Sequence, residues 1–273
     1  MENWLTQPAV QGGVAPFVVA LVVVLLLKRF NLAGIAVLAA FLTAMHLVSG
    51  IAFTPLTATR KIVLLAMAAP AVGILADFAF RPNRAGTALL AFAAAAGAMW
   101  AFWPVLANKP VAQAWLQGGS AAAALAFMVG FAQRYLAGDA VRAGAAGLGL
   151  GLATGVAAIF SATASFGLYG IALAAGAGAF LLPQIVAGRR AFAGATFTLT
   201  AIFVCGLVAA GTMILAKLPW YSLLALALVP VGARLPVPEN APLWLRAVLL
   251  SLYCFLIGAL ACVLAWPPGG ITI

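Results

Sequence analysis

Ten apolar runs, each close to the length a helix needs to cross a bilayer, follow one another along the sequence with only short connections between them. They fall at 8–27, 31–51, 62–80, 85–106, 113–133, 143–163, 166–187, 193–216, 218–233 and 243–265. A spanning helix takes about 20 predominantly apolar residues, so ten of them consume roughly 200 residues. Out of 273, the remainder suffices for two tails and nine short connections and leaves no room for a soluble domain. Composition agrees. Hydrophobic residues make up 66% of the chain and charged residues 7%, against about 25% charged in an ordinary soluble domain. That excludes a water-soluble globule, and it excludes disorder, which needs polarity and charge. The expectation is an all-α integral membrane protein, a polytopic helical bundle of about ten transmembrane helices with short loops, forming a single transmembrane domain over 1–273. The ninth run is the weakest. It is short and closes on Val229, Pro230, Val231 and Gly232, so it is the candidate for a segment that enters without crossing.

The net charge of +10 does not point to nucleic acid. The basic residues come singly and in pairs rather than as a stripe that could follow phosphates, and they fall between the apolar runs. The odd-numbered connections carry Lys28 and Arg29, Arg81 and Arg84, Arg134 and Arg142, Arg189 and Arg190, and Arg234 and Arg246. The even-numbered ones carry Arg60 and Lys61, Lys109 and Lys217. Ten against four puts the odd connections in the cytoplasm and both termini on the outer side, as expected for a bacterial cytoplasmic (inner) membrane protein. The first run has Glu2 before it and Lys28 and Arg29 after it, opposite to a cleaved signal peptide, so it is expected to remain as a helix. Trp4, Trp100, Trp103, Trp115, Trp220 and Trp266 fall at outer ends and Trp244 at an inner end, the headgroup depth that indole rings prefer. Membrane lipids are therefore the first expected partners. A duplication is weakly suggested by Trp103 and Pro104 set against Trp266 and Pro267. A five-plus-five inverted repeat is permitted by the number of runs without residue matches to support it.

Small residues recur every four positions in three consecutive runs. Gly147, Gly151 and Gly155 share one face of the sixth, Gly118, Ala122, Ala126 and Gly130 of the fifth, and Gly170, Ala174 and Gly178 of the seventh. Such faces let helix backbones approach closely. Two readings follow: packing within one chain, which matching faces on adjacent runs favour, or an interface with other copies of the chain or other membrane subunits. Cys205, Cys254 and Cys262 lie in apolar runs without ligand spacing and read as buried free thiols.

Ionisable groups inside a bilayer are functional candidates by default, and here they are few. Asp77 lies near the inner end of the third run with Arg81 one helical turn on. The pair reads as an interfacial salt bridge or as a proton or cation site tuned by the arginine. In the second case Asp77→Asn should abolish ion-coupled activity with little loss of folding. His46, the one histidine, reads as a hydrogen-bonded interfacial residue or as a relay or ligand. A second histidine for a haem or a zinc site is absent from the sequence, and no cofactor or metal is expected. The uncharged connection holding Ser161, Thr163 and Ser165 between Phe160 and Phe166 reads as a hydroxyl-lined dip into a pore or pocket, or as a tight turn whose hydroxyls satisfy helix-end backbone groups. Thr196, Thr198 and Thr200 alternate and so cannot line one helix face. Motifs of membrane metalloproteases, serine hydrolases and metal-dependent lipid transferases are missing, so an enzyme is not expected. Two functions remain. One is a transporter, channel or flippase for a small neutral or lipid-like solute. The other is a non-catalytic accessory or structural subunit of a larger membrane complex, which the thin polar inventory favours.

Overall fold

The computed structural model describes residues 7–51, 53–79, 83–188, 191–238 and 240–266, and every regular element among them is helical. Ten helices follow in order: α1 Val10–Phe30, α2 Ile35–Ser49, α3 Ala58–Ala79, α4 Arg84–Leu106, α5 Val111–Tyr135, α6 Ala140–Phe160, α7 Ala164–Ala187, α8 Gly194–Leu215, α9 Trp220–Gly232 and α10 Leu243–Ala265. Eight are long and apolar enough to cross a membrane. The chain is a multi-pass membrane protein built as an all-α bundle.

The second and ninth apolar runs hold the two shorter helices, α2 and α9. α2 ends at Gly50, whose φ of 69° leaves the helical region. Its 15 residues rise only about 22 Å at 1.5 Å each, less than a hydrocarbon core of about 30 Å. α9 is interrupted at Leu228, whose N–H turns back to Ala225 O and Leu226 O. Pro230 follows and has no N–H to continue the ladder. α3 begins before its apolar run and takes Arg60 and Lys61 into its first turns. Lys61 is buried there against α4: Nζ donates to Trp100 O at 3.1 Å and lies 4.8 Å from the centre of the indole ring.

α8 is the axis of the bundle. Every residue from Ala193 to Ile214 is buried, against 22% of the apolar window of α1. A helix apolar all round with no lipid face is enclosed by other helices. Phe197 of α8 stacks on Phe180 of α7 with ring centres 4.2 Å apart.

The small-residue faces of α6 and α7 pack against each other inside the chain. A Cβ added to Gly170 of α7 would stand 2.5 Å from Gly155 N of α6, and one on Gly151 would stand 2.6 Å from Ala174 N. Gly147 faces Ala177 and Ala201, while Gly118 and Gly130 of α5 rest on Leu106 and Ala91 of α4. A second smooth face of α6 was not evident from the spacing alone. Gly149 and Ala153 meet Cys254 and Gly258 of α10.

The connections segregate by parity. Asp77 at the end of α3, Ala137 after α5 and the start of α8 meet at one end of the bundle, where Arg142 also meets the end of α9. Ser49, Thr163 and Lys109 lie at the other end. The side chain of Gln11 there donates to Leu47 O, and Trp266 packs on Phe160 with ring centres 4.8 Å apart. The first and last described helices thus start and finish at the end that holds the even connections.

Candidate functional site

Gly73 and Asp77 are four positions apart, so both occupy one face of α3. Gly73 packs directly on α8; a Cβ there would lie 2.5 Å from Thr196 Cα. This approach delivers the Asp77 carboxylate to the amino end of α8. It accepts from Ala195 N at 2.6 Å, Thr196 N at 2.8 Å and Thr196 Oγ1 at 2.7 Å. A helix start leaves four N–H groups without intrahelical partners, and a carboxylate from another helix satisfies two of them here. Gly194 makes the fit possible: its φ is +58°, and a Cβ would strike the carboxylate. Arg81, the partner proposed from sequence, lies outside the described residues. Sequence spacing could not show the trans cap, because the capping residue and the capped helix are more than a hundred residues apart.

The alternating threonines of α8 each take a different partner. Thr196 meets Asp77, Thr198 accepts from Gln133 Nε2 at 2.6 Å, and Thr200 Oγ1 lies 2.9 Å from Gly34 O. Around Thr200 the helix widens into one π turn, Leu199–Phe203.

A second polar cluster ties three helices at the same end. Asp139 caps α6, accepting from Val141 N and Arg142 N, and lies 3.6 Å from Arg142 and 3.5 Å from Arg246. Arg142 also donates to Ala233 O at 2.6 Å. Glu239 lies outside the described residues.

The opposite end holds an open recess of about 510 Å³ between the end of α2, the start of α3 and the turn joining α6 to α7. Its polar lining is Ser49, Thr57, Thr59, Arg60, Thr163, Ser165 and Tyr169; Met45, Val63 and Phe166 form apolar wall. Ser49 and Tyr169 share a hydrogen bond of 2.8 Å. Ser161 is buried, and its hydroxyl returns to Ala157 O at 2.8 Å. Thr163 Oγ1 donates to Ala158 O at 3.0 Å. These two hydroxyls satisfy the closing carbonyls of α6, while Ser165 is exposed to the recess. The turn is therefore a tight one, and its outer surface forms one wall of a pocket. His46 is exposed on α2, at the end of the bundle opposite Asp77. Cys205 and Cys254 are buried and Cys262 is half-buried. Among the described residues, no three histidine, cysteine or acidic side chains come together as a metal-binding group.

No family model matches the chain, and no curated protein matches it.

Proposed function

We propose that the protein is a non-enzymatic transporter or flippase for a lipid-like solute, and that the recess at the even-connection end is where the solute is met. The observation that carries this reading is the lining of the recess. Hydroxyls and one guanidinium converge from three helix ends beside Met45, Val63 and Phe166. A concave site with a few convergent polar groups on an apolar wall is the usual form of a small-molecule site, and this mixture suits an amphipathic molecule. By the distribution of basic residues, the recess faces outward from a bacterial cytoplasmic membrane and the odd connections face the cytoplasm. The test is reconstitution into liposomes with a fluorescent short-chain lipid in one leaflet. Transfer faster than in protein-free liposomes is the expected result, and equal rates overturn the reading.

The second reading is an accessory subunit. It is supported by α8, whose buried hydroxyls and ends are tied to fixed neighbours, as suits a rigid scaffold. Extraction in mild detergent and native mass spectrometry decide between the two. A stoichiometric partner favours the scaffold, whereas a monomer or homo-oligomer favours transport.

A further inference from the structure

We infer that the recess binds an amphiphile with an oxyanion head, and that Arg60, Thr57, Thr59 and Ser165 supply the donors that hold it. The inference deepens the transport reading and rests on it for the recess being the point of solute contact.

The argument is a balance of donors and acceptors. Pro55 O is already taken, by Arg60 Nη1 at 2.5 Å and Thr57 N at 3.0 Å. Ser49 and Tyr169 are spent on each other and on Met45 O, and Thr163 on Ala158 O. Thr57 Oγ1 accepts from Arg60 N at 3.4 Å, which leaves its proton free. Thr59 and Ser165 line the same space and donate to no acceptor among the described residues. A guanidinium has five N–H donors, and the Pro55 contact fixes its position without using them all. The side chains of the lining thus offer free donors and, among the described residues, no carboxylate. Arg60 carries their one charge. The complementary ligand carries several acceptor oxygens and negative charge, as a phosphate or carboxylate head does.

The surroundings specify the rest of the molecule. Ile51, Phe53 and Leu56, on the segment leading to α3, are 44%, 43% and 49% exposed. Three large apolar side chains on a connection place it at the depth of lipid headgroups rather than in water. A ligand entering beside them needs an apolar tail as well as an anionic head. A free inorganic anion would leave the wall formed by Met45, Val63 and Phe166 without a partner.

Calorimetry on the purified full chain in mild detergent tests this with three probes: dihexanoyl phosphatidic acid, dihexanoylglycerol with the same tails and no charge, and inorganic phosphate. Saturable binding of the phosphatidic acid is expected, with dihexanoylglycerol and phosphate each much weaker. Arg60→Gln should weaken it by about tenfold or more, the scale of losing a charged hydrogen-bond donor. Ser165→Ala, at an exposed position, should weaken it several-fold and guards against misfolding of the arginine variant. Arg29→Gln, at the far end of the bundle, should change nothing. Equal binding of dihexanoylglycerol, or unchanged binding in both Arg60→Gln and Ser165→Ala, overturns the inference. Phosphate binding as tightly as the lipid overturns the amphiphile and leaves a free-anion site. Binding without transfer in liposomes overturns the transport reading alone. Transfer that Arg60→Gln leaves unchanged, with no anion bound, overturns the site alone.

Discussion

Asp77 and Lys109 hold opposite ends of one helix. The Asp77 carboxylate accepts from Ala195 N and Thr196 N at the start of α8, and Lys109 Nζ donates to Ile214 O at its finish, at 2.7 Å. The negative group faces the positive end of the helix dipole and the cation faces the negative end, the favourable arrangement at both. Neither residue belongs to α8 or is its neighbour in sequence, so the pair anchors the buried axis of the bundle to α3 and to the α4–α5 connection.

Asp77→Asn is therefore expected to lower stability even though it keeps the side-chain shape. One amide oxygen cannot replace two carboxylate oxygens, and the amide NH2 would face an N–H. Loss of a cap costs about 1–2 kcal/mol, and Asp77→Ala should cost more than Asp77→Asn. Thermal unfolding in detergent measures both. Unchanged transitions would mean that the cap contributes nothing to stability.

At Lys109, burial lowers the ammonium pKa from 10.5 despite the attraction of the helix end. The lowered folded-state value means that, between it and 10.5, the unfolded chain binds more protons, so this group's contribution makes stability rise with pH across that window. The side chain is only partly buried, so the effect should be small. Lys109→Met should remove this pH dependence. The comparison requires unfolding curves of both proteins as pH approaches 10.5.

The α6–α7 seam predicts a matched pair of glycine substitutions. Gly170→Val pushes side-chain carbons into the backbone of Gly155 and should cost about 1–3 kcal/mol or more, as overpacking does. Gly119→Ala on α5, with nothing within 4 Å of the added carbon, should be silent or slightly stabilising. Melting temperatures measured side by side report the difference.

Asp139 is shared by two arginines, so its removal leaves Arg142 and Arg246 without their common anion. Asp139→Ala should destabilise more than Arg246→Gln. The double variant should lose less than the sum of the two, because partners in one network are not additive. A double-mutant cycle on unfolding free energies supplies the coupling.

Sidedness is testable by labelling. The native thiols of Cys205 and Cys254 are buried and that of Cys262 is half-buried, so the experiment uses a Cys262→Ser background; Ser165 and Gly138 are exposed at opposite ends. With an impermeant maleimide, Ser165→Cys should label in intact cells and Gly138→Cys only after lysis. The reverse pattern would invert the orientation.

Much of the bundle is legible in the sequence, because about 20 apolar residues in a row have few other fates. The runs at 85–106 and 243–265 match α4 and α10 almost residue for residue. What hydropathy conceals is which helix lies in the middle. Lipid and a helix bundle are both apolar surroundings, so the lipid-facing α1 and the enclosed α8 read alike. The pairing of Asp77 with Ala195 and Thr196 is hidden for another reason: a trans cap leaves no local spacing. The recess is half visible. The hydroxyls around Ser165 stand out in an uncharged connection, but Arg60 resembles any other basic residue at a helix end until α2, α3 and α7 bring it beside them.

The enclosure of α8 also sets how freely its residues can be exchanged. A side chain that meets lipid touches a fluid, which accommodates any apolar shape, so Val186 and Val263, both largely exposed, have interchangeable alternatives. Val204 and Val208 are fully covered by neighbouring helices, and for them equal hydropathy is not equivalence. Along α8, shape rather than apolarity limits which residues are tolerated, although its composition resembles that of its neighbours.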